Sequence, residues 1–269
     1  MTTDQDTTLA TEAESLVLIF PCPWESLPEG LLDGVHAEHW QEEATYELNE
    51  ATDSQKQEGI THVGTISFAG DDFIRASLII EEPLPGLESL AGTSAEPLTA
   101  TEIVMLEQHQ SVCRVILPAG RRLGRRAAKR ASQIMATMVE AGAIAAFLPG
   151  ILRLHGARFV RRQTMDLYDP TGVANLFIGA WHDGDWMRTR GLTAFALPEL
   201  ETSTKAGMNG AYFTLMDVAA NMLMQMAKFP DGAELQIGHK TFALQTGPMS
   251  DTPDEEAPIN GSFGVQTIV

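Results

Sequence analysis

The stretch SVCRVILPAGRRLGRRAAKRASQIMATMVEAGAIAAFL, residues 111–148, decides the fold predicted for this chain. It begins with an apolar, β-branched run at 111–117 and ends with an apolar run at 143–148, both typical of buried strands. Between them, small and apolar residues recur every three or four positions over 121–141, which predicts one amphipathic helix that ends at Gly142. The stretch therefore predicts a β-α-β unit, which specifies a fold element and no chemistry.

The residues before this unit predict a strand, a helix and a hairpin. The continuous apolar run at 15–20 is typical of a buried strand. Apolar residues spaced among acids at 31–46 indicate a helix, and the polar composition of 49–59 indicates a loop. Two alternating runs, 62–68 and 73–80, flank a turn rich in Gly and Asp, which predicts a β-hairpin.

The residues after the unit predict a second hairpin, a buried helix and further strands. The helix is rich in Met and Ala and is apolar on more than one side, so we expect it to lie deep in the core. The predicted elements are a turn at 169–172, strands at 173–181 and 186–195 joined by a turn at 182–185, the helix at 213–229, paired strands at 234–237 and 241–245, and an edge strand at 262–269.

This mixed order predicts an α+β fold, with helices packed on a mixed, mainly antiparallel sheet. The strand-helix-strand order near the start echoes that of the centre, which suggests two similar α/β lobes. We divide the chain into a flexible lead (1–14), an N-terminal lobe (15–98), a central and C-terminal lobe (99–247) and an acidic, Pro-rich tail (248–269). No G-x-G-x-x-G or G-x-x-x-x-G-K-[ST] occurs in the sequence, which excludes the two commonest nucleotide cradles.

The composition limits the partners and the compartment. A net charge of −18 repels nucleic acid and anionic membranes, so we expect neither as a partner. The start has no signal-peptide pattern, and no apolar run is long enough to span a membrane. The two cysteines, Cys22 and Cys113, form no C-x-x-C pair, which favours free thiols in the cytoplasm. We expect no cofactor, and the sequence carries no signal for an oligomeric state.

Six of the 18 cations lie within ten residues, 121–130, at the start of the central helix. Cations at a helix N-terminus oppose the macrodipole and repel one another. One interpretation is a surface for a small anion or an acidic protein partner; the other is a solvated face that pairs with acidic loops of the same chain. The net charge favours internal pairing. The stripe consists of Arg122, Arg125, Arg126 and Lys129.

The densest group of aromatic and polar residues lies at 181–190. Tryptophans beside a turn can frame a ligand pocket, and His with Asp can transfer protons. The alternative, which we favour, is a hairpin tip with tryptophans at its rim. The candidate binding residues of this group are Trp181, His182, Trp186, Arg188 and Arg190.

Glu199 and Glu201 are two positions apart, so on a strand they face the same side. They could pair with Arg188 and Arg190 or form an acidic catalytic pair, and we favour structural pairing. Near the start, His36 and His39 precede two glutamates, but H-E-x-x-H is absent and we expect no metal site. Cys113, in the middle of a strand, is expected to be a core thiol.

The blocks RGLTAF (190–195) and LPELE (197–201) resemble the C-terminal signature of a bacterial family known as domain of unknown function 4261. Its pattern is GL..FG.PE.E, followed by a helix and an acidic or Gly-containing tail. Ala196 stands where that family often has Gly. The likeness covers about 60–250, and since the family has no established function, it implies a fold expectation and no catalytic residues.

The sequence therefore favours an uncharacterised, non-catalytic binding or interaction module for a protein or a small anionic ligand. The alternative is a hydrolase-type enzyme that uses His182 and Asp183 with Glu199 and Glu201. The two differ in whether a cleft lies beside residues 181–190 and whether Glu199 faces it.

Overall fold

A computed structural model describes residues 15–117, 124–167, 169–205, 207–237, 239–247 and 265–268. They form two compact units, the first from the described residues of 1–121 and 126–167, the second from those of 122–125 and 168–269. Each combines helices with a mainly antiparallel sheet, which confirms the predicted α+β class. The predicted lead (1–14) and most of the predicted tail (248–264) lie outside the described residues.

In the first unit, the structure describes seven strands and five α-helices. They are β1 (Ser15–Phe20), α1 (Leu31–Trp40), β2 (Ala44–Glu50), α2 (Asp53–Gln57), β3 (Ile60–Phe68), β4 (Asp71–Glu81), α3 (Ala100–Glu107), β5 (Ser111–Ile116), α4 (Arg125–Glu140), β6 (Ala145–Leu148), β7 (Arg153–Gly156) and α5 (Ala157–Thr164), with a 3-10 helix at Leu87–Thr93.

The sheet of the first unit has the order β2-β3-β4-β5-β1-β6-β7, and its neighbouring strands are antiparallel. β1 lies between β5 and β6, so these two strands run parallel to each other without touching. The predicted β-α-β unit is thus present, but its strands are separated by the apolar β1. A central position buries both faces of that strand, which its uninterrupted apolar sequence requires.

Helices cover both faces of this sheet. On one face, Val17, Ile19 and Leu154 pack with Leu106 of α3. α4 lies over the other face, because Arg130 stacks over the ring of Phe68, 4.4 Å from its centre. The buried side of α4 contains Ile134, Met135 and Met138.

In the second unit, the structure describes two α-helices and six strands, with a 3-10 helix at Leu192–Phe195. The strand order is β11-β12-β13-β10-β9-β8, and β10 and β13 form the parallel pair. The elements are α6 (Pro170–Phe177), β8 (Gly179–Asp183), β9 (Trp186–Arg190), β10 (Glu199–Ser203), α7 (Met208–Gln225), β11 (Glu234–Ile237), β12 (Lys240–Gly247) and β13 (Val265–Ile268).

Several predicted elements are confirmed and others are corrected. Both hairpins and the pairing of β11 with β12 are present. The helix predicted at 31–46 ends at Trp40, and its last residues belong to β2. The strand predicted at 173–181 is mostly α6, because Asp169 caps the N-terminus and Pro170 occupies the first turn.

The C-terminal strand and the lobe boundary also differ from the prediction. β13 is not an edge strand, because it lies between β12 and β10 and is stabilised by hydrogen bonds on both sides. β5, beyond the boundary predicted at residue 98, pairs with β1 and β4 before it. One sheet therefore spans that boundary, and the two compact units meet in sequence near residue 168.

Candidate functional site

The hairpin of β8 and β9 places the predicted aromatic and polar cluster on two different faces. Trp181 lies opposite Arg188, and His182 lies opposite Met187. Because neighbouring residues on a strand point to opposite faces, His182 lies on the other face from Asp183. His182 is exposed, while Asp183 forms an ion pair with Arg188. The structure therefore does not bring His182 and Asp183 together as an acid-base pair.

A buried ion pair joins the second strand of this hairpin to β10. Arg188 lies opposite Glu201, and their side chains are 3% and 0% exposed. The guanidinium Nε of Arg188 donates to Glu201 Oε2 at 3.2 Å, and the hydroxyl of Thr267 donates to Glu201 Oε1 at 2.8 Å. The predicted structural pairing of Arg188 with Glu201 is confirmed. Removing either partner would leave an uncompensated buried charge.

Glu199 is buried too, but its partners differ from the predicted ones. Its Oε1 accepts the backbone N–H groups of Gly191 at 2.9 Å and Thr193 at 3.1 Å, and its Oε2 accepts the hydroxyl of Thr189 at 2.8 Å. Glu199 thus caps the 3-10 helix that follows β9. Within the described residues it forms no ion pair with Arg190, so the predicted pairing with Arg190 is wrong. A carboxylate that satisfies the free backbone N–H groups at the start of a helix has a structural role.

In the first unit, two residues of the basic stripe, Arg126 and Lys129, and the neighbouring Arg130 of α4 bind two acids of their own chain. Arg126 and Arg130 donate to Asp71 Oδ2 from their Nε atoms, at 2.9 and 3.1 Å. Lys129 Nζ lies 3.0 Å from Glu42 Oε1, and Arg130 Nη1 binds the other oxygen of Glu42.

Arg122 and the side chain of Arg125 lie outside the described residues. The ion pairs of the described cations are those that the internal-pairing interpretation expects.

The electrostatics of this cluster favour ionised acids. Burial acts to raise the pKa of Glu42, but hydrogen bonds from Lys129, Arg130 and Gln133 outweigh it and lower that pKa from 4.5 to about 2. The pKa of Asp71 is lowered in the same way, since its hydrogen bonds with two arginines outweigh the effect of burial. The cluster therefore stabilises the fold most where both carboxylates are charged.

A buried histidine network lies beside the basic cluster and was missed from the sequence. His36 Nδ1 lies 3.1 Å from both Tyr46 Oη and Thr137 Oγ1, and the indole N–H of Trp40 donates to the same threonine at 3.2 Å. Burial, and then the charge of Arg130, lower the pKa of His36 to about 4, so the ring is neutral at pH 7. The spacing of His36 and Trp40, four residues apart on α1, was the available signal.

An open depression of about 410 Å³ borders the segment between β4 and α3. Its histidine, His109, is fully used by the backbone: Nδ1 donates to the carbonyl of Leu106 at 2.6 Å, and Nε2 accepts the N–H of Leu84 at 3.0 Å. The ring therefore has a structural role. The lining residues are Pro83, Leu84, Pro85, Gly86, Glu88, Glu107 and His109.

The metal-ligand and cysteine candidates form no reactive site in the part of the chain that the structure covers. Within it, no three His, Cys, Asp or Glu side chains are arranged to hold a metal ion. Cys22 and Cys113 are both free thiols, as predicted; Cys113 is buried, and burial raises its pKa. Among the described helices, none combines the length and the hydropathy that crossing a membrane requires.

The chain matches no family model, no curated protein and no solved structure. The resemblance of residues 190–201 to the domain of unknown function 4261 family therefore stays a prediction.

Proposed function

We propose that the protein is a non-catalytic binding module that recognises a protein or a small anionic ligand. The observation that carries this proposal is the state of Glu199 and Glu201. Both carboxylates are buried, and their hydrogen bonds join β9, β10, β13 and the 3-10 helix. An acid-base residue needs a carboxylate that reaches a substrate proton.

The other groups that a hydrolase would use are not arranged with these carboxylates for proton transfer, since Arg188 binds both Asp183 and Glu201. His182 lies on the face of the hairpin opposite Asp183, and Asp183 is engaged by Arg188. Trp181, Trp186 and Arg190 are half-buried, so each keeps exposed surface for a partner. Tryptophan and arginine are the residue types that most often dominate binding energy. This arrangement supports binding over catalysis.

The test replaces each carboxylate by its amide. Replacing a structural carboxylate destabilises the fold, whereas replacing a catalytic one often leaves stability unchanged or raises it. Because Glu201→Gln removes one partner from a buried ion pair, we expect a loss of about 3 to 5 kcal/mol. Glu199→Gln should also lower the melting temperature. The matched control is Glu234→Gln, on an exposed strand position of the same unit.

Melting is followed by circular dichroism, and hydrolysis of model esters, phosphoesters, peptides and glycosides is measured in parallel. We expect lower melting temperatures for both variants, an unchanged control and no hydrolysis by the parent. Hydrolysis by the parent that either variant abolishes, with its melting temperature unchanged or raised, would overturn the proposal in favour of the enzyme.

A further inference from the structure

Arg153, the first residue of β7, is a buried arginine that has no carboxylate partner among the described residues. It is 8% exposed, and its buried Nη1 forms no hydrogen bond within the described part of the chain. Among the residues whose burial the structure describes, two other arginines are buried to this degree, and each is held by two carboxylates. Arg130 binds Glu42 and Asp71, and Arg188 binds Asp183 and Glu201.

This difference matters because a guanidinium group stays charged in a protein. An unpaired charge in the interior loses its hydration without compensation, which costs several kcal/mol. The chain has 36 acidic residues, so acids for pairing are abundant, yet within the described residues none forms an ion pair with Arg153. The charge is therefore best compensated by an anion from outside the chain.

The strand register places Arg153 on the sheet face that α4 covers. Arg153 lies opposite Leu148, and two residues along each strand His155 lies opposite Ala146. Ala146 in turn lies opposite Leu18 of β1. Side chains at directly opposite positions share a face.

From β1 the same face continues across the sheet to α4. Leu18 lies opposite Cys113, and Cys113 lies opposite Ile80 of β4. Ile66 of β3 lies opposite a residue of β4 that shares the face of Ile80. Phe68, two residues further along β3, shares the face of Ile66 and lies under Arg130 of α4. Arg153 and α4 therefore lie on the same side of the sheet.

α4 presents a second donor on this side. Ser132 is 1% exposed, and its hydroxyl has no hydrogen-bond partner among the described groups. At 100° per residue it lies on the opposite flank of the helix from Gln133 and Thr137, which bind the Glu42 and His36 side. His155, 0% exposed and stacked on Phe159 with ring centres 4.7 Å apart, flanks Arg153 on the same strand.

We infer that Arg153 anchors a site for one oxyanion group, a phosphate or carboxylate of a small molecule, with the Ser132 hydroxyl as a second donor. The planar guanidinium matches two oxygens of such a group, and both anions share this geometry. The inference rests on the proposed function in that it gives a binding module its anionic ligand. It assigns no reaction to the site.

The test measures thermal melting of the full chain in chloride, inorganic phosphate and acetate at equal ionic strength. A ligand that binds only the folded state raises the melting temperature with its concentration. We expect phosphate, acetate or both to stabilise the parent beyond chloride. Phosphate also stabilises folded proteins in general, because it is excluded from their surface. A phosphate shift that Arg153→Gln removes therefore identifies a phosphate site, and shifts in both anions that it removes identify a site that also accepts carboxylates.

Variants locate the site. Arg153→Gln should weaken the anion's affinity by about ten- to hundredfold, since it removes a charge-assisted contact, and Ser132→Ala by about three- to tenfold. The matched control is Arg158→Gln, a half-exposed arginine paired with Glu96, which should keep the parent's affinity. In chloride, Arg153→Gln should be as stable as the parent or more stable, because it removes an uncompensated buried charge.

Three results would overturn the inference: no stabilisation of the parent by either anion up to about 50 mM, equal anion affinity of Arg153→Gln and the parent, or a less stable Arg153→Gln in chloride. If Arg153→Gln fails to fold, that counts as the third result. None of these depends on Glu199 or Glu201, so the failure of this site and the failure of the non-catalytic function are distinguishable.

Discussion

Replacing Glu42 by Gln is expected to lower the free energy of unfolding of the first unit by about 1 to 2 kcal/mol at pH 7. The pKa of Glu42 falls from 4.5 to about 2 in the folded protein, because hydrogen bonds from two cations and Gln133 outweigh burial. At 1.36 kcal/mol per pH unit this shift corresponds to about 3 kcal/mol. The side chain is 37% exposed, and solvent screening removes roughly half of that value.

The sign of the pH dependence follows from the direction of the shift. Because the folded state lowers the pKa of Glu42, its contribution is complete above pH 4.5 and is lost as the pH falls toward 2. The difference between the parent and Glu42→Gln should therefore be constant from pH 7 to pH 5 and shrink below that. High salt should also reduce it, because the pairs are partly exposed.

Urea unfolding followed by tryptophan fluorescence measures this difference. Both proteins carry Trp181→Phe and Trp186→Phe, so that the remaining tryptophans report on the first unit. The control is Glu43→Gln, which removes the same charge from an exposed neighbour. Equal stability of Glu42→Gln and the parent at pH 7, or a loss no larger than the control's, would refute the internal-pairing argument.

Three further outcomes are expected. Leu223→Asp, at a position 4% exposed on α7, should lower the free energy of unfolding in urea by more than about 4 kcal/mol. Phe213→Asp, 64% exposed on the same helix, should change it little, and similar losses for the two variants would contradict the burial of this face of α7. Gly64→Ala should strongly destabilise the first unit or prevent its folding, since the new Cβ would lie 1.9 Å from the carbonyl oxygen of Glu47, and a parent-like melting curve would contradict this packing. Cys113 should react with a thiol reagent only after denaturation, and rapid labelling of the native protein at this residue would disprove its burial.

Elements with strong periodicity could be predicted from the sequence, and short elements with weak patterns could not. The continuous apolar run of β1 predicts a central strand. The helical spacing of apolar residues in α4 predicts a helix that packs on the sheet. β2 could not be predicted as a strand, because its buried residues, Ala44 and Tyr46, alternate with polar ones within a segment rich in acids. The sequence of α6 predicts a strand because its apolar residues outweigh the helix-start signal of Asp169 with Pro170.

Some contacts of the candidate site could be predicted from the sequence, and others could not. The pairing of Arg188 with Glu201 followed from strand alternation, which the sequence carries. The partners of Glu199 did not, because they are backbone N–H groups of a turn whose geometry depends on the packing around Gly191. That Arg153 has no carboxylate partner among the described residues could not be predicted from the sequence either. It depends on which acids the fold brings near Arg153 from distant parts of the chain.

The central position of β1 makes the first unit slow to complete during synthesis. β1 is made early, but its two neighbours lie at 111–116 and 145–148, so most of its contacts join residues far apart in sequence. At about 5 to 20 residues per second, some 6 to 25 s pass between the synthesis of β1 and that of β6. Until β5 is made, about 5 to 19 s after β1, the apolar run SLVLIF has neither of its native partners, and until β6 follows it lacks one of them. The nascent chain therefore carries an aggregation-prone segment that a chaperone would need to shield.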